Sequence, residues 1–153
     1  NLVTIGGRRL RVDAKADIRL LETGEVTRVA VDLADIYGRE AVSAAERSFA
    51  LDRRMSTLTV SDALKGVKPG ETVRWAMTTK AEKAEIDGCR AVLAIGEKRL
   101  SVTMNSSTPG RWEFADLSKG PNEWDSPNPG CSQLRWETAA SREGTVSLET
   151  CFR

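Results

Sequence analysis

Across residues 72–78 the chain sets Val73, Trp75 and Met77 on one side, with Arg74 and Ala76 between them. A repeat of two residues is the repeat of an extended strand with one buried face, and an amphipathic helix does not produce it. The pattern recurs in short runs along the chain. Val29, Val31 and Leu33 alternate with Arg28, Ala30 and Asp32. Leu58 and Val60 share a face, as do Leu100, Val102 and Met104, and Ala45, Arg47, Phe49 and Leu51 repeat the pattern more weakly.

Turn chemistry separates these runs. Thr23-Gly24, Asp52-Arg53-Arg54, Lys68-Pro69-Gly70, Asp87-Gly88 and Gly96-Glu97 all carry residues that suit tight turns. Gly6-Gly7 predicts a hairpin over residues 2–12. Residues 131–137 and 145–152 read as a final hairpin, and residues 117–130, rich in Pro, Gly and Asn, as a long loop. Residues 76–86 hold good helix formers but no apolar stripe, so strand is the better reading. The sum is an all-β fold, an antiparallel two-sheet β-sandwich of about eleven short strands. At 153 residues it is read as a single domain spanning 1–153. The abrupt start on strand-like Asn1-Leu2-Val3-Thr4-Ile5 points to a piece of a longer chain or to a processed form.

The chain contains no histidine. That removes serine–histidine triads, cysteine–histidine dyads, most zinc sites and tyrosine–histidine lyase pairs. Chemistry built on carboxylates alone remains open. Three cysteines without histidine do not make a zinc site, and no metal or cofactor is expected. A net charge of +1 implies no strong field for nucleic acid or an anionic membrane. No apolar run is long enough for a transmembrane helix.

Several residues invite a closer reading. Pairing Leu134 with Leu148 and Trp136 with Val146 in the final hairpin would set Cys131 opposite Cys151, where a disulfide is possible in an exported protein; two free thiols are the equal alternative. Trp75 and Trp136 sit in alternating strands and read as core. Trp112 and Trp124 flank or occupy the long loop, where they would either stack on carbohydrate or pin the loop. Arg53 and Arg54, in a turn, are candidates for an acidic polysaccharide. Asn122, Glu123, Asp125 and Asn128 offer oxygen ligands without the spacing of a calcium loop. Asn105-Ser106-Ser107 fits a glycosylation sequon. Tyr37, the single tyrosine, lacks a second titrating partner in sequence and reads as a loop anchor packing Ile36 against the sheet.

The order V-A-V-D-L-A-D-I-Y-G over residues 29–38, then A-E-R-S-F-A-L-D, then L-T-V-S-D-A-L, then V-R-W-A-M-T-T resembles the C-terminal β-sandwich of heparinase II/III-like polysaccharide lyases. The positions that carry the likeness run from Val31 to Tyr37, then Glu46-Arg47, Val60-Ser61-Asp62 and Trp75 to Thr79. The opening Asn1 to Gly7 is similar to a family segment trimmed of its first residues, and Pro127-Asn128-Pro129-Gly130 to the approach to its last hairpin. The resemblance implies a parent lyase that cleaves uronic-acid-containing polysaccharide by β-elimination, periplasmic or secreted. It also implies a partner, the N-terminal α/α toroid of the same chain. Family catalysis uses Tyr and His lying mainly in parts this chain lacks, so no catalytic residue carries over. The chain is therefore expected to be an accessory sandwich, non-catalytic alone. A free-standing carbohydrate-binding sandwich and a structural or adhesion module of the cell surface are the alternatives.

Overall fold

A computed structural model describes residues 3–8, 10–119 and 126–153. Two antiparallel sheets face each other. The smaller joins β1 (Thr4–Ile5), β6 (Thr72–Thr79), β11 (Ser132–Ala139) and β10 (Gly110–Asp116), in that order. The larger has eight strands: β2 (Ile18–Glu22), β3 (Val26–Asp32), β4 (Ala44–Asp52), β5 (Thr57–Lys65), β12 (Thr145–Phe152), β9 (Lys98–Ser106), β8 (Arg90–Ile95) and β7 (Lys83–Asp87). One helical turn, α1 (Ala34–Tyr37), leads out of β3. The all-β sandwich read from the alternation is what forms, with twelve strands among the described residues.

The alternating residues meet between the sheets. Val73, Trp75 and Leu134 from the small sheet pack with Leu64, Val102, Met104, Val146 and Leu148 from the large one. Asp87-Gly88 and Gly96-Glu97 close the β7–β8 and β8–β9 hairpins, with Gly88 and Gly96 at positive φ. Residues 76–86 end β6 and begin β7 rather than forming a helix.

Two pairings differ from the sequence reading. Among the described residues the turn at Gly6-Gly7 does not lead into a returning strand; β1 instead pairs across to β6, Thr4 opposite Arg74 and Ile5 opposite Val73. The second difference is larger. β11 and β12 do not form a hairpin. β11 lies between β6 and β10, while β12 lies between β5 and β9 in the other sheet. Residues 140–144 therefore cross the sandwich from sheet to sheet. Gly144 makes the crossing at φ +70, with its α-carbon against the Val67 carbonyl. Both strands bury one face, so their alternation is the same whether they pair side by side or face each other across the core.

Candidate functional site

The strand registers define rows of side chains across the inner face of the large sheet. One row runs Leu20, Val29, Phe49, Val60, Thr150 and Met104. The next runs Thr27, Leu51, Leu58, Phe152, Val102 and Ala91. The rows are buried at Thr150, Met104, Val102 and Ala91, partly buried at Phe152, and become exposed toward β2 and the far end of β4. Ile18 is 73% exposed, Leu20 63% and Leu51 41%, while Val102 and Thr150 are at 0%. Four strands cannot cover eight, so the β2–β4 half of an apolar face is left open. Contiguous exposed apolar surface on a soluble domain marks an interaction site.

At the border of this open half stand Arg47 and Asp62, directly opposite on β4 and β5. Arg47 donates from Nε to Oδ1 of Asp62 at 2.7 Å and from Nη2 to Oδ2 at 2.9 Å. Both side chains are buried. Burial pushes the Asp62 carboxyl above the usual carboxylate range, against the pull of Arg47. Tyr37 on α1 packs into the same core. Its hydroxyl is buried without a hydrogen-bond partner of normal geometry, and burial first, then the Asp62 charge, raises its pKa. A tyrosine held in this way anchors α1 to the sheet, the role read from sequence. The Arg47 and Asp62 positions carried the family likeness as motif letters; nothing in the alternation marked them as a buried ion pair. Their common inward phase was the available signal.

The tryptophans form a second cluster. Trp112, Trp136 and Trp75 stand in one cross-strand row of the small sheet. Trp112 and Trp136 meet edge to face at 5.1 Å between ring centroids, and Trp75 and Trp112 at 5.8 Å. Trp75 and Trp136 are core, as expected. Trp112 is core too, 6% exposed, with its indole N–H donating to the Cys89 carbonyl at 2.8 Å. That corrects its reading as a loop-side stacking platform: β10 begins early enough to set Trp112 on the inner face. Trp124 lies outside the described residues, as do Asn122, Glu123 and Asp125.

The remaining candidates scatter. Arg53 and Arg54 sit exposed in the β4–β5 turn. Arg53 donates to the Gly24 carbonyl and to Thr27 Oγ1, both at 2.8 Å, which ties this turn to the β2–β3 turn. Neither arginine joins Trp112, which belongs to the other sheet. The cysteine pairing is corrected as well. Cys131 precedes β11 in the small sheet and Cys151 lies on β12 in the large one, so the hairpin that would have aligned them does not exist. Both are free, as is Cys89.

No family model matches the sequence, and no curated protein does. Solved structures share the fold. The crystal structure of heparinase III aligns with a TM-score of 0.76 at 13% identity, over 99% of this chain and 23% of its own. The structure of a heparan sulfate lyase HepC mutant from Pedobacter heparinus aligns with a TM-score of 0.75 at 12% identity, over 98% of this chain and 23% of its own. The chain thus spans about a quarter of the length of the structures whose β-sandwich it shares.

Proposed function

We propose that the chain is the accessory C-terminal β-sandwich of a heparinase II/III-like polysaccharide lyase that is periplasmic or secreted and acts on uronic-acid-containing polysaccharide by β-elimination. Its work is to dock on the catalytic α/α toroid of the parent protein and to support that domain's substrate cleft. The observation that carries this reading is the open apolar half-face around Ile18, Leu20 and Leu51, on a fold shared with a quarter of a heparinase III chain. A free-standing binding or adhesion module would gain by covering such a face itself.

The reaction fits a supporting role. β-Elimination needs a group to neutralise the uronate, a base for the ring proton and an acid for the leaving oxygen. Here two buried acidic groups among the described residues, Tyr37 and Asp62, are occupied in anchoring α1 and pairing with Arg47. The test is association in trans. The toroid of the parent protein, produced separately, should bind this chain in the micromolar range or tighter. Leu20→Glu with Leu51→Glu should weaken that binding at least about tenfold, because a charge buried in an apolar interface goes unpaired. Failure of the two pieces to associate, with both shown to be folded, overturns the proposal.

A further inference from the structure

The β8–β9 hairpin ends in a tip whose inner side is not fully closed. Leu93 pairs with Leu100 and Ile95 with Lys98, so these four side chains share one face. Leu93 is buried in the core and Leu100 packs against it, whereas Ile95 is 48% exposed and Lys98 is exposed. Past the end of β6 the chain folds over this tip. Thr79 Oγ1 accepts from the Ala81 N–H at 3.0 Å, and the Glu82 N–H donates to the Ala94 carbonyl at 2.9 Å. A recess of about 100 Å³ remains between Ala81 and the hairpin. Its wall is apolar at Leu93, Leu100, Ile95 and Ala81, and Thr79, Lys98 and Arg99 complete it.

The polar groups around the recess are not used up within the fold. Thr79 Oγ1 accepts one bond, and its own hydrogen has no acceptor among the described residues. Arg99 donates only from Nη1, to the Gly96 and Lys98 carbonyls. No carboxylate among the described residues pairs with Arg99 or Lys98. At the far edge of the same sheet the arginines are matched, Arg19 by Glu46 and Arg28 by Glu22. Over residues 79–83 and 95–99 the cations Lys80, Lys83, Lys98 and Arg99 outnumber Glu82 and Glu97 by two. The surface around the recess is therefore positive, in a chain whose net charge is only +1.

Whole small-molecule ligands fill pockets of about 300 Å³ or more, so this recess takes a substituent and not a ring. An apolar wall penalises a charged or hydroxyl substituent and accepts a methyl group. A hydroxyl hydrogen beside it suits a carbonyl oxygen, and the two cations suit an anion. An acetamido group next to a carboxylate supplies all three.

We propose that this recess binds an N-acetylated sugar unit of an acidic glycan. The acetamido methyl enters between Ala81, Leu93 and Leu100, its carbonyl accepts from Thr79 Oγ1, and the adjoining uronate carboxylate meets Lys98 and Arg99. The site rests on the lyase reading and deepens it, by giving the sandwich its own hold on the polysaccharide. It lies on β8 and β9, beyond β5 and β12 from the open β2–β4 half, so docking and glycan binding use separate surfaces.

The test uses the 153-residue chain, isotope-labelled at nitrogen, and three tetrasaccharides. One alternates N-acetylhexosamine with uronate, one alternates plain hexose with uronate, and one is a neutral N-acetylhexosamine chain. The first should shift the backbone amides of Ala81 and Leu100 saturably and leave those of Leu20 and Leu51 in place. The other two should bind about tenfold or more weakly, since each lacks half of the recognition. Lys98→Gln, on an exposed side chain, should stay folded, lose about fivefold for the first sugar and leave the neutral one unchanged. Ile95→Glu, which sets a carboxylate at the mouth, should weaken the first sugar by about tenfold or more. An unmoved Ala81 amide, or equal affinity for the chain without acetyl groups, overturns the site. So does unchanged binding by Lys98→Gln. Toroid association is measured separately. Glycan binding at Ala81 without it keeps the site and overturns the lyase reading, and the reverse result does the opposite.

Discussion

Arg47 and Asp62 face each other across β4 and β5 and join in a two-point ion pair buried in the core. A buried pair of this kind is held because removing one member strands the other. Asp62→Ala or Arg47→Ala should each cost about 3–5 kcal/mol. The apolar double variant Arg47→Met with Asp62→Leu should recover most of that loss and equal or exceed the parent, because it removes both desolvation costs together. Urea unfolding of the three variants measures this; a double variant as unstable as the singles would show that the pair is needed for the fold itself.

Tyr37 should make the protein sensitive to alkali. Burial raises its pKa above the ordinary value, so the folded chain holds the phenolic proton more tightly than the unfolded chain. That contribution is complete below about pH 10 and is lost as the pH rises further. Tyr37→Phe should flatten the stability profile above that pH. At neutral pH it should be neutral or stabilising by up to about 1 kcal/mol, because it removes a buried hydroxyl without a partner. Melting temperature against pH for the two proteins checks both points.

The crossing from β11 to β12 depends on Gly144. Its backbone is left-handed, and a β-carbon would strike the Val67 carbonyl. Gly144→Ala should cost on the order of 2–3 kcal/mol, whereas Gly88→Ala, at positive φ but with open space around it, should cost only about 1 kcal/mol. Equal losses at the two sites would mean that the contact with Val67 is unimportant.

The open face should act alone when no partner is present. Ile18→Ser with Leu20→Ser should reduce self-association at high concentration, with stability changed by less than about 0.5 kcal/mol at each site, since neither side chain is buried. Sedimentation and thermal melting report the two effects separately.

With β11 and β12 in different sheets, all three cysteines should react with an alkylating reagent in non-reduced, denatured protein. Mass spectrometry showing a single modified cysteine would restore a Cys131–Cys151 bond.

Much of this architecture is legible locally. The alternation of Val73, Trp75 and Met77, the turn at Asp87-Gly88 and the inward phase of Leu100, Val102 and Met104 are properties of a few adjacent residues, and the strands form where these residues place them. The buried roles of Trp75 and Trp136 follow from the same phase. Trp112 obeys it too, but its nearness to a long polar loop hid the fact. The candidate site was less legible. Arg47 and Asp62 could be named as family positions, yet their meeting depends on a register between two strands. The close packing of Gly110 on the Trp136 indole joins residues more than twenty apart in sequence.

The sequence by itself determined the strands, most of their turns and which side of each strand is buried, because backbone geometry ties side-chain direction to a repeat of two. It did not determine what each buried side is buried against. That was decided only in the folded chain, where β11 and β12 separate into opposite sheets, three indoles line up in one row, and four strands close over part of eight. The physical reason is that a strand's hydrophobic face is satisfied equally by many partners. The choice among them belongs to the packing of the whole core, and so does the strip of apolar face that this packing leaves open.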